Sequence, residues 1–172
     1  RSLEFLAKHD PTQPFFLNIS FARPHSPYVP PEYYFNQYYN KQTPPPYVGD
    51  WAAIHDQPRD AKNVNAWHGR MTPEQIHRAR SGYYGDISFI DTQIGRLLNW
   101  RQRGELLRNS WIVFTSDHGD MQGDHHHWRK TYAYEGSSRI PFIVVPPAEL
   151  GTPARSLADE VVELRDIMPT LL

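Results

Sequence analysis

Apolar residues recur along this chain in two rhythms, and each predicts a different element. In the stretch 73–104 the positions Ile76, Tyr83, Ile87, Ile90, Ile94, Leu97 and Leu98 recur at spacings of three, four and seven, the signature of one long amphipathic helix. Thr72-Pro73-Glu74-Gln75 marks its start: a hydroxyl that can cap, a proline at the first helical position and a glutamine three residues after the cap. Gly104 is the expected stop. Short β-branched and aromatic runs at 14–21, 111–116 and 140–145 predict strands, the first of them central, and 160–164 is a fourth candidate. Shorter helices are expected at the start, around Leu3, Phe5 and Leu6, and from about Pro31 to Tyr39. Strands interleaved with a long helix predict an α/β fold with a mostly parallel central sheet flanked by helices.

Composition narrows the class of function. With 172 residues and 39% apolar content the chain can fill a core, and a net charge of −1 with mixed signs gives no general electrostatic case for nucleic acid or an anionic membrane. No run approaches the roughly 20 apolar residues that span a bilayer. There is no cysteine, which excludes disulfides and thiolate metal sites within this sequence. The amphipathic pattern is already running at Leu3, and Asp166-Ile-Met-Pro-Thr-Leu-Leu ends inside an apolar turn without a cap. Both ends therefore predict a partial domain, the central or C-terminal part of a longer protein. Residues 43–68 shift to Pro, Trp, Asp and Asn without periodicity; an irregular loop of that length either covers a site or a partner surface or is an ordinary surface excursion, and the sequence by itself favours the excursion.

The chemistry concentrates where strands end. Asp117-His118-Gly119 follows the run 111–116, so a carboxylate and an imidazole stand beyond the carboxyl end of a strand, where open α/β sheets place their ligands. The two donors can converge on one divalent ion or serve two neighbouring ions, and either arrangement needs further ligands. Lys130 lies thirteen residues after Asp117; near a metal ion it can donate a proton or hold an anionic oxygen. His25, between Pro24 and Pro27, sits on a stiffened loop suited to an acid or an anion donor. Of His125, His126 and His127, consecutive side chains diverge, so one, His125, is expected to face a site. Asp86 and Asp91, five apart on the long helix, do not stack as a carboxylate pair and read as structural or solvated.

Taken in order, Pro14-Phe-Phe-Leu-Asn-Ile-Ser-Phe-Ala-Arg-Pro-His-Ser-Pro-Tyr28, Tyr84-Gly-Asp-Ile-Ser-Phe-Ile-Asp-Thr-Gln-Ile-Gly-Arg-Leu-Leu98 and Thr115-Ser-Asp-His-Gly-Asp-Met-Gln-Gly-Asp-His125 resemble the type I sulfatases of the alkaline phosphatase superfamily. Trp128-Arg-Lys130, Tyr134-Glu-Gly-Ser-Ser-Arg139-Ile-Pro-Phe-Ile-Val and the closing Asp166-Ile-Met-Pro-Thr-Leu-Leu extend the resemblance over nearly the whole chain outside 43–68. The resemblance implies an alkaline-phosphatase-like α/β fold that hydrolyses sulfate esters with a Ca²⁺ ion, or Mg²⁺ in its place, and a formylglycine nucleophile. Asp117 and His118 would then be metal ligands, His118 standing where many members have Asn. His25 and Lys130 would hold the sulfate and assist the leaving oxygen, and His125 would line the substrate pocket. The sequence holds no Cys/Ser-x-Pro-x-Arg run. The formylglycine is therefore expected in an N-terminal part upstream of Arg1, and this chain alone is expected to be inactive. The implied substrate is a sulfated small molecule or carbohydrate, and the implied location periplasmic, secreted or lysosomal. Two other readings stay open on the residues: a metal-dependent phosphodiesterase or phosphonate hydrolase of the same superfamily, and a non-catalytic binding relative.

Overall fold

The long helix, α3 (Pro73–Leu98), forms as its pattern predicts. Its start is a reciprocal box: Thr72 Oγ1 accepts the Gln75 N–H at 3.2 Å, and Gln75 Oε1 accepts the Thr72 N–H at 2.9 Å. The expected stop at Gly104 is not where it ends; Gly104 instead opens a short helix, α4 (Gly104–Arg108). The buried positions of α3 are Arg80, Ser81, Gly82, Gly85 and Asp86 rather than the apolar stripe, and Ile87 is exposed. Small residues explain the exchange, because a Cβ at Gly82 would collide with the carbonyl oxygen of Tyr28. Glycine lets the chain around Tyr28 lie directly on the helix.

The computed structural model describes residues 1–63, 65–99, 104–130, 132–152 and 156–172, and the chain divides into two compact units. One unit comprises 1–16, 98–117 and 140–172; the other comprises 17–97 and 118–139.

The first unit carries α1 (Ser2–Lys8), with an exposed Lys8–Glu4 pair at 2.8 Å, and the strands β1 (Ile112–Thr115) and β2 (Phe142–Val145). Both strands lie inside the runs that predicted them. Their pairing is antiparallel, Ile112 opposite Val145 through Thr115 opposite Phe142, and so corrects the expected parallel arrangement for the only ladder among the described residues. Strand propensity reports fit to a pleated surface and not direction, which the path of the intervening chain decides. Two further strands were expected and neither forms. Residues 15–20 alternate between half-buried and exposed, as a strand would, but 14–21 carry no ladder. Residues 160–164 run into a 3₁₀ turn, Leu164–Asp166, held by the Glu163 N–H on Asp166 Oδ2 at 2.7 Å, which leads into a short helix, α6 (Ile167–Leu171).

In the second unit α2 (Glu32–Tyr39) packs on α3 through rings, Tyr34 with Phe89 at 5.3 Å and Tyr38 with Tyr84 at 5.5 Å. A hydrogen bond of 2.7 Å joins Tyr38 Oη and Ser88 Oγ. The segment 43–68 is anchored, not a free excursion. It contains a 3₁₀ helix (Asp50–His55) with Ala52 fully buried, and isolated bridges pair Pro58 with Arg70 and His68 with His127. Short α5 (Glu135–Ser138) closes the unit.

Candidate functional site

The loop 118–130 buries the polar side chains of Gln122 and His127, and its backbone is unusual. Gln122, His125, His126 and Arg129 all have left-handed backbone angles, with φ of 49°, 53°, 62° and 66°. Non-glycine residues in that region cost about 1–3 kcal/mol each and persist only where their surroundings determine them. The surroundings here are hydrogen bonds. Met121 N–H reaches the Arg129 carbonyl, and Gly123 N–H the His127 carbonyl, each at 2.8 Å, while Trp128 N–H reaches the Trp67 carbonyl at 2.7 Å. Gly119 N–H donates to Ser137 O at 2.7 Å, an approach so close that a Cβ at Gly119 would strike the Gly136 carbonyl.

Two side chains fasten this loop to the rest of its unit. Arg80, buried on α3, donates from Nε to Gln122 O at 2.9 Å, from one terminal nitrogen to Pro44 O at 2.7 Å and from the other to Asp124 Oδ1 at 2.7 Å. Asp124 Oδ1 also accepts the Tyr47 N–H at 3.0 Å, so one guanidinium holds the loop and the start of 43–68 together. Asp120 is the second fastening. Its Oδ1 accepts the N–H groups of Gln122 at 3.0 Å and Arg129 at 3.1 Å, and its Oδ2 accepts the Tyr28 hydroxyl at 2.6 Å. Burial, with the Asp120 carboxylate beside it, pushes the Tyr28 phenol far up and out of the titrating range, and burial with the same carboxylate raises Tyr83 to about 12. Both phenols remain donors.

The expected site residues fall on these elements as follows. His25 is exposed, with Nδ1 2.8 Å from Ser26 O, on the segment that ends at Tyr28. In that segment Arg23 donates to the Pro27 carbonyl and pairs with the buried Asp86 at 3.6 Å. Burial raises the Asp86 carboxyl above its ordinary value, with Arg23 opposing. Lys130 is exposed and follows Arg129 directly. Asp120 therefore bonds both three residues after His25 and one residue before Lys130. His118 is half-buried with Nδ1 2.8 Å from the Gly119 carbonyl; donation there places the ring's lone pair on Nε2, the form that binds a cation. Asp117 is exposed at the end of β1, in the other unit. Among the described residues no group of three or more His, Asp or Glu forms a complete metal-holding set. A carboxylate and an imidazole are donor types that suit a divalent ion, and a complete site needs further ligands.

The three consecutive histidines diverge as expected. His126 Nε2 lies 3.8 Å from Asp56, and His127 is buried against His55, with ring centroids 4.5 Å apart. His125 stacks on Trp51 at 4.6 Å and meets Tyr134 at 5.6 Å. Asp120, Asp124 and Arg80 went unmarked in the sequence. Only the density of Asp around the histidines, Asp117, Asp120 and Asp124, hinted at the first two.

A family model described as Sulfatase matches residues 1–172. The chain belongs to the sulfatase family. It is 46% identical over 172 residues to an arylsulfatase of Clostridium perfringens, covering 99% of this chain and 36% of that protein. It is 31% identical over 138 residues to a choline-sulfatase of Rhizobium meliloti, covering 78% of this chain and 27% of the relative. The chain thus spans about a third of the length of the curated relatives it matches. Its fold resembles the solved phosphonate monoester hydrolase of Agrobacterium radiobacter with a TM-score of 0.70 and 28% identity, over 86% of this chain and 32% of that one. The fold is the α/β type of the alkaline phosphatase superfamily, here as a partial domain. Membership of the sulfatase family implies a metal ion and a formylglycine. No described helix is long and apolar enough to cross a membrane.

Proposed function

We propose that the full-length protein hydrolyses sulfate esters, and that residues 1–172 form a central to C-terminal part of its catalytic domain, with 43–68 as an insertion. The observation that carries this reading is the double attachment of Asp120, which ties the His25 segment to the loop ending at Lys130. Asp117 and His118 would hold the metal ion, Ca²⁺ or in its place Mg²⁺, which when bound polarises the sulfate ester as a Lewis acid. Lys130 neutralises charge on the sulfate oxygens, and His25 donates to the leaving oxygen. His125 lines the substrate pocket. The formylglycine belongs to sequence outside this chain. The substrate is a sulfated small molecule or carbohydrate.

The likeness to a phosphonate monoester hydrolase favours a second reading, phosphoryl-type hydrolysis with Asp117 and His118 on Zn²⁺ or Mn²⁺. Assaying the full-length protein on an aryl sulfate and on an aryl phosphonate separates the two. Faster sulfate cleavage is expected, with at least a roughly 100-fold lower turnover in Lys130→Ala, typical of a lost acid or oxyanion donor. Faster phosphonate cleavage selects the second reading, and cleavage of neither leaves a binding protein.

A further inference from the structure

Both ends of the segment 23–28 rest on one face of α3. The Tyr28 carbonyl lies on Gly82, and Arg23 pairs with Asp86, one helical turn further along. Between these anchors the backbone can do little to hold itself. Pro24 and Pro27 carry no N–H, and the His25 N–H reaches the Ala22 carbonyl at 3.2 Å. A side chain supplies the missing stitch. One terminal nitrogen of Arg23 donates to the Pro27 carbonyl and closes the loop 23–27 with His25 at its centre, and the same nitrogen stands 3.6 Å from Asp86 Oδ2.

Asp86 is costly where it stands. Its side chain is 2% exposed and its Oδ2 is buried without a hydrogen bond, so the Arg23 guanidinium is the charge that balances it. A buried pair of this kind is weak evidence for stability, because apolar side chains of similar size often serve as well. What the pair specifies is geometry: the carboxylate fixes where the guanidinium lies, and the guanidinium fixes the loop that carries His25. On that loop the imidazole has its Nδ1 2.8 Å from the Ser26 carbonyl, which can only accept, so Nδ1 carries a proton and Nε2 is the nitrogen left for proton exchange. The same helix presents Arg80 to Gln122 O and Asp124 Oδ1. One rigid element therefore braces both the His25 loop and the loop that ends at Lys130.

We propose that Asp86 is a positioning residue for His25, acting through Arg23 to fix the loop on which the imidazole is carried. The proposal rests on the reading of the protein as a sulfatase only for the step that His25 serves, proton donation to the leaving oxygen.

Two measurements on the full-length protein test it. The first compares kcat/KM for phenyl sulfate, whose leaving oxygen is basic, with that for 4-nitrophenyl sulfate, whose oxygen leaves readily without a proton. It is made in Arg23→Met/Asp86→Leu, where apolar side chains replace the whole pair and folding is expected to survive, and in Asp86→Asn, which keeps the shape without the charge. Both variants lose activity on both esters, and on the order of 10-fold more on phenyl sulfate. His25→Ala shows the same bias, and adding Asp86→Asn to it leaves the bias where it was. Equal losses on the two esters, or a bias that Asp86→Asn still adds when His25 is gone, mark a structural role and overturn the proposal. The second measurement reads the ring directly. Long-range proton–nitrogen NMR correlations at about pH 9, where imidazoles are neutral, show His25 protonated on Nδ1 in the parent and a mixture of both ring forms in the two pair variants. A His25 ring unchanged by either variant overturns the proposal whatever the protein cleaves. A ring released by the variants in a protein that cleaves no sulfate refutes the sulfatase reading and leaves the hold of Asp86 on His25 standing.

Discussion

The loop 118–130 and the strand pair β1–β2 both join segments distant along the chain, but they are built from opposite materials. In the loop, carboxylates and a guanidinium that are buried or half-buried bond to specific partners: Arg80 on Asp124, Asp120 on Tyr28, Gln122 and Arg129. In the strands, a ladder carries apolar side chains of which Phe114, Ile143 and Val145 are 41%, 53% and 48% exposed. A buried polar bond fails sharply when one partner is removed, because the other is left desolvated. An exposed apolar side chain has little to lose. The difference predicts that substitutions will divide by region, large in the loop and small in the strands.

Arg80→Met tests the large end. The arginine side chain is 6% exposed and its partner Asp124 is 32% exposed, so removing the guanidinium strands a partly buried carboxylate together with the carbonyls of Gln122 and Pro44. Breaking a buried pair from one side costs about 3–5 kcal/mol, and the partial exposure of Asp124 puts the expected loss near the lower figure. Denaturant unfolding of the full-length protein measures it, with hydrogen exchange at 118–130 locating it. A loss of less than about 1 kcal/mol would mean the loop is held by its backbone bonds alone.

Tyr28→Phe removes a single hydrogen bond to one oxygen of Asp120 and leaves the Arg129 and Gln122 bonds on the other. A bond to a charged acceptor contributes about 1.5–3 kcal/mol, so a loss of about 2 kcal/mol is expected by the same unfolding measurement. Because the bond ties the His25 segment to the loop that ends at Lys130, turnover should fall with it. Wild-type turnover at reduced stability would separate the fastening from the chemistry.

Burial lowers the His127 imidazole below its ordinary value, opposed by its bond to the His125 carbonyl and reinforced by His55, His125 and His68 nearby. The folded state therefore favours the neutral ring, and the unfolded chain takes up the proton first as pH falls. Stability from this residue is whole above the unfolded value near 6.5 and is lost as pH drops through it, levelling off below the folded value. The unfolding midpoint measured between about pH 8 and about pH 5 should decline, and His127→Gln should flatten that decline. An identical slope in the variant would assign the dependence to other groups.

These regions also differ in how much of them could be read in advance. The capping box at Thr72, the strands inside 111–116 and 140–145, and the divergence of His125, His126 and His127 depend on neighbours in sequence, and all three appeared as expected. What local pattern cannot carry is the identity of a distant partner. The antiparallel sense of β1 and β2, the missing ladder at 14–21 and the polar burial on α3 each depend on which segment arrives to pack there. Of the candidate residues, His25, Lys130 and the Asp117-His118 pair are marked by residue type and motif. Asp120 and Arg80 were not, because their value lies in bonds to residues 92 and 44 positions away.

Ile143→Thr probes the small end of the comparison. Threonine keeps the β-branch that suits a strand, so the backbone preference is little changed, and the ethyl arm exchanged for a hydroxyl belongs to a residue already 53% exposed. Ile143 stands opposite Phe114, itself 41% exposed, so the pair shares one half-solvated face. A change within about 0.5 kcal/mol is expected in the unfolding of the full-length protein, as for surface positions generally. A cost above about 1.5 kcal/mol is the value for a hydroxyl forced into a filled core. That result would mean residues outside 1–172 cover this face, and the contrast drawn between loop and strands would hold for this chain but not for the protein that contains it.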